Sequence, residues 1–214
     1  MPRRGPLAPG APARRALERR LPFAIAAWRV VKGRIDFWRE DKPDREVLEV
    51  RIFPALRERD DIRRVLFVGV DWYTRRYPRA FADREFWTIE PIPGRAKHGA
   101  KGRHVVGSVT ELDRHFEAGS FDAVILNGVL GYGLEDPGEQ AMALRQCATA
   151  LRPGGLFVVG WNDLDGRRPV PPVEEVALRA GLQPTVLPPL PEPRHPTYGD
   201  ALLVYEFYVR RSLA

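Results

Sequence analysis

Three residues carry most of the chemistry that can be read from this 214-residue chain. Gly69 follows Val65-Leu66-Phe67-Val68 in an apolar run. Asp71 stands two residues later, and Glu90 closes the next such run, 21 residues beyond Gly69. A glycine after a strand permits a tight turn in which main-chain N–H groups approach a ligand closely. A carboxylate ending the neighbouring strand can accept hydrogen bonds from both hydroxyls of a ribose. Elsewhere the chemistry is thinner. Asp163-Leu164-Asp165 offers too few converging oxygens for a cation, which leaves Asp163 a substrate-contacting or general-base role, or that of a polar turn residue. His98, His104, His115 and His195 have no metal-ligand spacing with one another or with Cys147. No Ser/His/Asp or Cys/His arrangement is present, and no metal is expected.

The elements that must position these residues follow from the apolar pattern. Runs at 65–70, 86–90, 104–106, 123–126 and 156–161 read as strands, and 182–187 and 202–209 complete a sheet of about seven. Between them 74–81, 94–99, 111–116, 138–151 and 174–181 read as helices. The helix over 138–151 runs into Pro153-Gly154-Gly155, a tight reversal into the next strand. Strands alternating with helices predict a mostly parallel α/β sheet. Upstream, Ala24, Trp28, Val31, Ile35 and Trp38 mark a helical stripe starting near Pro22, and a second helix over 45–59 is interrupted or kinked near Pro54. Three segments result: a basic, disordered tail (1–21), a helical cap (22–60) and the α/β body (61–214).

Composition narrows the class. One cysteine excludes an internal disulfide, and no signal segment or uninterrupted apolar span is evident, so a cytoplasmic protein is expected. The net charge of +6 is unevenly placed: residues 1–40 hold +7 and the remainder −1. A neutral body argues against nucleic acid as a partner. Docking of the basic N-terminal helix on anionic lipid is disfavoured against a simpler reading, in which its Trp28/Ile35/Trp38 face packs on the body.

The order and spacing of these elements resemble the class I S-adenosylmethionine-dependent methyltransferases over residues 62–210. The resemblance rests on Phe121-Asp122-Ala123-Val124-Ile125-Leu126, on Ala150-Leu151-Arg152-Pro153-Gly154-Gly155-Leu156, and on the terminal run Val204-Tyr205-Glu206-Phe207-Tyr208-Val209. It implies a Rossmann-like, seven-stranded, mostly parallel sheet with helices on both faces and an antiparallel last strand. It also implies S-adenosylmethionine as cofactor, with Glu90 on the ribose. The implied cofactor shell is Gly69, Asp71, Tyr73, Thr74, Glu90, Pro91, Ser108, Val109, Asn127 and Gly128. The loop before the last strand reaches over the substrate site in such folds, which makes His195 a candidate base toward a hydroxyl acceptor, alongside Asp163. Trp72, Tyr73 and Tyr77 either line the substrate pocket or pack between helix and sheet.

The first motif departs from the family's pattern. Phe67 stands where an acid is expected, and Asp71 and Tyr73 stand where the second and third glycines are expected. Asp71 is placed to replace the acid and hold the cofactor's ammonium group. The first reading is a methyltransferase acting on a small or conjugated acceptor. The alternative is an inactive, methyltransferase-like binding or scaffold protein. A nicotinamide-dependent oxidoreductase is disfavoured, because a pyrophosphate needs several glycines and only Gly69 is present.

Overall fold

The computed structural model describes residues 43–198 and 202–211, so the basic tail and the helix expected from Pro22 lie outside the described residues. The described residues fall in one compact unit. Eight strands are found among the described residues: β1 Arg64–Val68, β2 Glu85–Glu90, β3 His104–Val106, β4 Phe121–Asn127, β5 Leu151–Asn162, β6 Leu182–Pro184, β7 Arg194–Pro196 and β8 Leu203–Arg210. Their order is β3-β2-β1-β4-β5-β8-β6, with β7 also paired to β8. The pairs β1/β2, β2/β3, β1/β4 and β4/β5 are parallel, whereas β8 runs antiparallel to β5, β6 and β7. This is the Rossmann-like sheet expected from the sequence, with β7 added.

Among the described residues the helices are shorter than the periodicity predicts. The segment 43–58 is helical throughout but changes pitch: α1 Pro43–Glu46, a π-type stretch Val47–Ile52, then α2 Phe53–Glu58. Pro54 explains the irregularity, because it lacks an N–H and its ring crowds the carbonyl one turn earlier. The helix expected over 74–81 shrinks to α3, Tyr77–Ala80. Those expected near 94–99 and 111–116 are 3₁₀ turns, Pro93–His98 and Val109–Arg114. Among the described residues only α4 Pro137–Ala150 and α5 Val173–Arg179 are regular helices close to their expected length. Asp136 caps α4 by accepting from the Glu139 N–H at 2.9 Å, and Pro137 fits the first turn.

Period-two burial sorts the strand residues onto two cores. Leu66, Val124, Leu126, Phe157 and Val159 face α4 and α5. Val65, Phe67, Ala123, Ile125 and Val158 face the helical segment 43–58. Edge-on aromatic contacts lock that second layer, with Phe53 against Tyr77 at 4.9 Å and against Phe81 at 5.0 Å. Tyr77 also donates its hydroxyl to Glu49 at 2.9 Å, and burial pushes its phenol far above the ordinary range. Of the three aromatics left open by the sequence, Tyr77 packs between helix and sheet.

The Leu151-Arg152-Pro153-Gly154-Gly155 segment is not a reversal outside the sheet. It is the first stretch of β5, looping out between the pairs Phe121/Leu151 and Ala123/Leu156. Gly154 takes φ +75°, and a Cβ on Gly155 would lie 2.9 Å from the Arg152 carbonyl. Asp122 pins this bulge. Its carboxylate accepts from the main-chain N–H groups of Arg63 and Arg64 at 2.8 and 2.7 Å, and from Arg152 Nε at 2.6 Å. Arg152 continues to Asp61, which Arg59 also holds. Burial pushes the Asp122 carboxyl up, but these donors outweigh it and leave the group below its usual range. The Arg59 hydrogen bonds bring Asp61 down to about 2. Asp122 thus joins the amino-terminal ends of β1, β4 and β5.

Candidate functional site

At the opposite, carboxyl edge the strand order changes direction about β1, with β2 on one side and β4 on the other. In open α/β sheets that crevice is where ligands bind. Gly69 leaves β1 with φ +83°, and a Cβ there would come within 2.9 Å of Val129 Cγ2. Only glycine therefore lets the chain turn here while β4's following loop closes against it.

Glu90 ends β2 with only 4% of its surface exposed. Its Oε2 accepts from the Val70 N–H at 3.3 Å, and its Oε1 from the Ile92 N–H at 3.2 Å. The first loop and the end of β2 are thus joined through one buried carboxylate. Asp71 closes its own turn: its Oδ1 accepts from the Trp72 N–H at 2.7 Å, while Thr74 Oγ1 accepts from the Asp71 N–H and donates to the Asp71 carbonyl. Thr74 is buried and spent on this turn. Arg95, in the 3₁₀ turn after β2, stands between the two acids. It is 3.4 Å from Asp71 Oδ2 and 3.5 Å from Glu90 Oε1. Tyr73 is half-exposed, and the Arg45 guanidinium lies 4.3 Å over its ring; burial pushes its phenol up.

The other expected residues divide. Pro91 is exposed beside Glu90. Ser108 is occupied as an N-cap, accepting from the Thr110 N–H at 3.2 Å, and the Val109 side chain is buried in the core under α4. Gly128, at φ +65°, donates to the Gly160 carbonyl at 3.0 Å. Asn127 ends β4 with its Oδ1 buried and without a hydrogen-bond partner. A Cβ on Gly160 would meet that oxygen at 2.1 Å and the Tyr205 ring at 3.0 Å. The missing side chain at 160 therefore lets the Asn127 carboxamide lie across β5. Register carries this row onward, from Asn127 to Gly160, Tyr205 and His195. His195 thus sits three strands beyond Asn127, roughly 14 Å at ordinary strand spacing. Burial and the nearby Arg51 hold its imidazole below the usual range. Asp163 is paired with Arg168, which also holds the exposed Asp165.

The loops after β4 and β5 are tied to each other. The Arg167 guanidinium donates to the Gly131 carbonyl and lies 4.4 Å over the Tyr132 ring. Gln140 joins the same two loops, donating to the Leu134 carbonyl and accepting from the Val170 N–H. Sequence reasoning missed Arg95, although its place in a Pro-Gly turn five residues after Glu90 was a usable signal. It also missed Glu206, a nearly buried acid on β8 that accepts from Trp161 Nε1 at 3.1 Å and from the Tyr208 hydroxyl. The signal there was a lone acid in the run Val204-Tyr205-Glu206-Phe207. Among the described residues no group of three His, Cys, Asp or Glu could hold a metal ion, and no helix is long and apolar enough to cross a membrane.

The sequence model of the methyltransferase-domain family matches residues 68–159, the stretch from the end of β1 through most of β5. That match to a methyltransferase domain supports, over those residues, the class I resemblance read from the sequence. Solved structures agree on the fold of the methyltransferase body. The N-methyltransferase NodS from Bradyrhizobium japonicum superposes with a TM-score of 0.62 at 18% identity, covering 80% of this chain and 99% of NodS. The 1,6-didemethyltoxoflavin-N1-methyltransferase of Burkholderia thailandensis gives 0.57 at 17% identity, covering 99% of this chain and 94% of the other. The sugar N-methyltransferase KedS8 from Streptoalloteichus gives 0.54 at 17%, covering 77% and 87%. No curated protein matches the chain. The cofactor of this class is S-adenosylmethionine, and the residues at the β1/β2/β4 crevice fit it in kind. A buried acceptor-only carboxylate suits a ribose diol, a second carboxylate suits an ammonium, and the Gly69 turn allows close approach.

Proposed function

We propose that this protein is a methyltransferase that moves the methyl group of S-adenosylmethionine to a small-molecule acceptor, holding the cofactor along β2, β1 and β4. The observation that carries the reading is Glu90: a carboxylate 4% exposed, ending β2 and bonded to the loop after Gly69. Burying an acid is costly, and its position at the ligand-binding edge gives the cost a use. Charge supports it. Asp71, Glu90 and Arg95 sum to −1, and the cofactor, with sulfonium, ammonium and carboxylate, sums to +1.

In this reading Glu90 accepts from the ribose hydroxyls, Asp71 faces the ammonium, and Pro91, Asn127 and Gly128 line the space between adenosine and acceptor. Thr74 shapes the first loop rather than touching the ligand, Ser108 caps its own turn, and Val109 contributes through the core. The cofactor supplies an electrophilic methyl carbon that a nucleophile attacks in line. The protein's part is to hold that line and exclude water, so no dedicated base is required for an amine. His195 lies too far along the row to reach a nucleophile over Asn127, since a base must come within about 3 Å. Asp163 carries Arg168 on its carboxylate.

Calorimetric titration with S-adenosylhomocysteine tests the reading. Saturable binding by the wild type, weakened in Glu90→Ala and Asp71→Asn, supports it. Equal binding in all three would place the cofactor elsewhere. A second reading, a methyltransferase-like scaffold, draws on the first loop, where Asp71 and Tyr73 replace glycines and Asp71 is already engaged by the Trp72 N–H and Arg95. A wild type that binds neither S-adenosylhomocysteine nor S-adenosylmethionine would favour it.

A further inference from the structure

An ionised carboxylate offers about four lone-pair positions, two on each oxygen. On Glu90, the Val70 N–H takes one position of Oε2, and the Ile92 N–H takes one of Oε1. Two remain, which is the number a ribose diol needs. Arg95 Nη1 stands at one of them, 3.5 Å from Oε1. Its contacts with Glu90 and Asp71 are both longer than the 2.7–2.9 Å usual for charge-assisted hydrogen bonds, and its side chain is 41% exposed. Charge from two sides, rather than good hydrogen-bond geometry, holds the guanidinium in place. Solvent is open to it when it leaves.

We propose that Arg95 is a competitor built into the cofactor site, occupying the Glu90 acceptor position that one ribose hydroxyl requires, so that binding must turn its guanidinium off Glu90. This rests on the reading of Glu90 as the ribose ligand. The side chain serves the unliganded protein by neutralising a buried acid, and it lowers cofactor affinity by the strength of that pairing. Affinity is thereby set by a residue that need not touch the bound cofactor.

The experiment uses 5′-methylthioadenosine, which has the ribose but neither ammonium nor carboxylate, together with its 2′,3′-dideoxy analogue. Both are titrated by calorimetry into wild type, Arg95→Met and Arg95→Lys, with thermal unfolding of the unliganded proteins measured alongside. Arg95→Met is expected to bind 5′-methylthioadenosine about fivefold more tightly, the size of a partly exposed ion pair, with Arg95→Lys between it and wild type. The dideoxy analogue should show no gain, because it asks nothing of the freed position. Unchanged or weaker binding of 5′-methylthioadenosine in Arg95→Met, or an equal gain for both ligands, overturns the inference. Should Arg95→Met fail to fold, Arg95→Lys decides alone by whether the diol-dependent gain is present. A wild type that binds neither 5′-methylthioadenosine nor S-adenosylhomocysteine defeats the reading of the site itself, which the variants would not.

Discussion

The two edges of this sheet spend their polar groups differently. At the amino edge, Asp122 satisfies two main-chain N–H groups and Arg152 at 2.6–2.8 Å, and Arg152 in turn reaches Asp61. At the carboxyl edge, Asn127 Oδ1 is buried with no partner, and Arg95 stands off two acids at 3.4 and 3.5 Å. The first arrangement resembles a finished joint and the second an open one. Fully paired polar groups fix structure, whereas under-used ones at a ligand edge hold interactions in reserve.

The contrast breaks most visibly at Asp122. Asp122→Ala strands two main-chain donors and Arg152, so it should cost about 3 kcal/mol and lower the melting temperature by roughly 6–12 °C. Affinity of the folded fraction for S-adenosylhomocysteine should hold, and a loss of affinity matching the loss of stability would erase the distinction between edges. The complementary change is Glu90→Gln, which keeps the shape but removes the charge. It should weaken S-adenosylhomocysteine binding about tenfold or more while moving the melting temperature less than Asp122→Ala does.

A pH series sharpens the comparison further. Asp61 lies at about 2 when folded, below its ordinary value of 3.8, so its contribution is complete above about pH 4 and fades as pH falls toward 2. Half-exposed as it is, that contribution should stay below about 1 kcal/mol. The melting-temperature gap between wild type and Asp61→Asn should therefore narrow between pH 5 and 2.5, and a constant gap would contradict the ion-pair account. The smallest effect is expected at Asn127. Asn127→Leu removes an acceptor that nothing satisfies, so the unliganded protein should gain up to about 1 kcal/mol. A loss of stability there would mean that the carboxamide is paired within the fold.

How much of this was legible in the sequence depends on the range of the interaction. The strands β1, β2, β4, β5 and β8 were visible because each is an apolar run longer than its neighbours can mimic. The 3₁₀ turns at 93–98 and 109–114 were read as helices, since short runs rich in Pro, Gly and capping residues do not separate one-turn geometries. β7 escaped notice because Arg194-His195-Pro196 has no strand-like composition and exists only by pairing with β8. At the site, Gly69 and Glu90 were legible from their places at strand ends. Arg95 was legible only as a cation in the Pro-Gly turn after Glu90; its role depends on where that turn points its side chain. The Asp122 joint spans 58 residues to Arg64, a separation at which local pattern says nothing.

The position of β8 bears on how the molecule is made. β8 lies between β5 and β6 and is the last of the three to be synthesised. β5 ends at Asn162 and β8 begins at Leu203. At ordinary elongation rates of 5–20 residues per second, the outer edge of β5 waits roughly 2–8 seconds for its neighbour. During that interval Trp161 has no Glu206 to donate to, and β6 has no strand to pair with. A nascent chain of this protein therefore passes through a stage with an open, apolar sheet edge, and a chaperone that holds unpaired strands would find its target there, before the final strand closes the sheet.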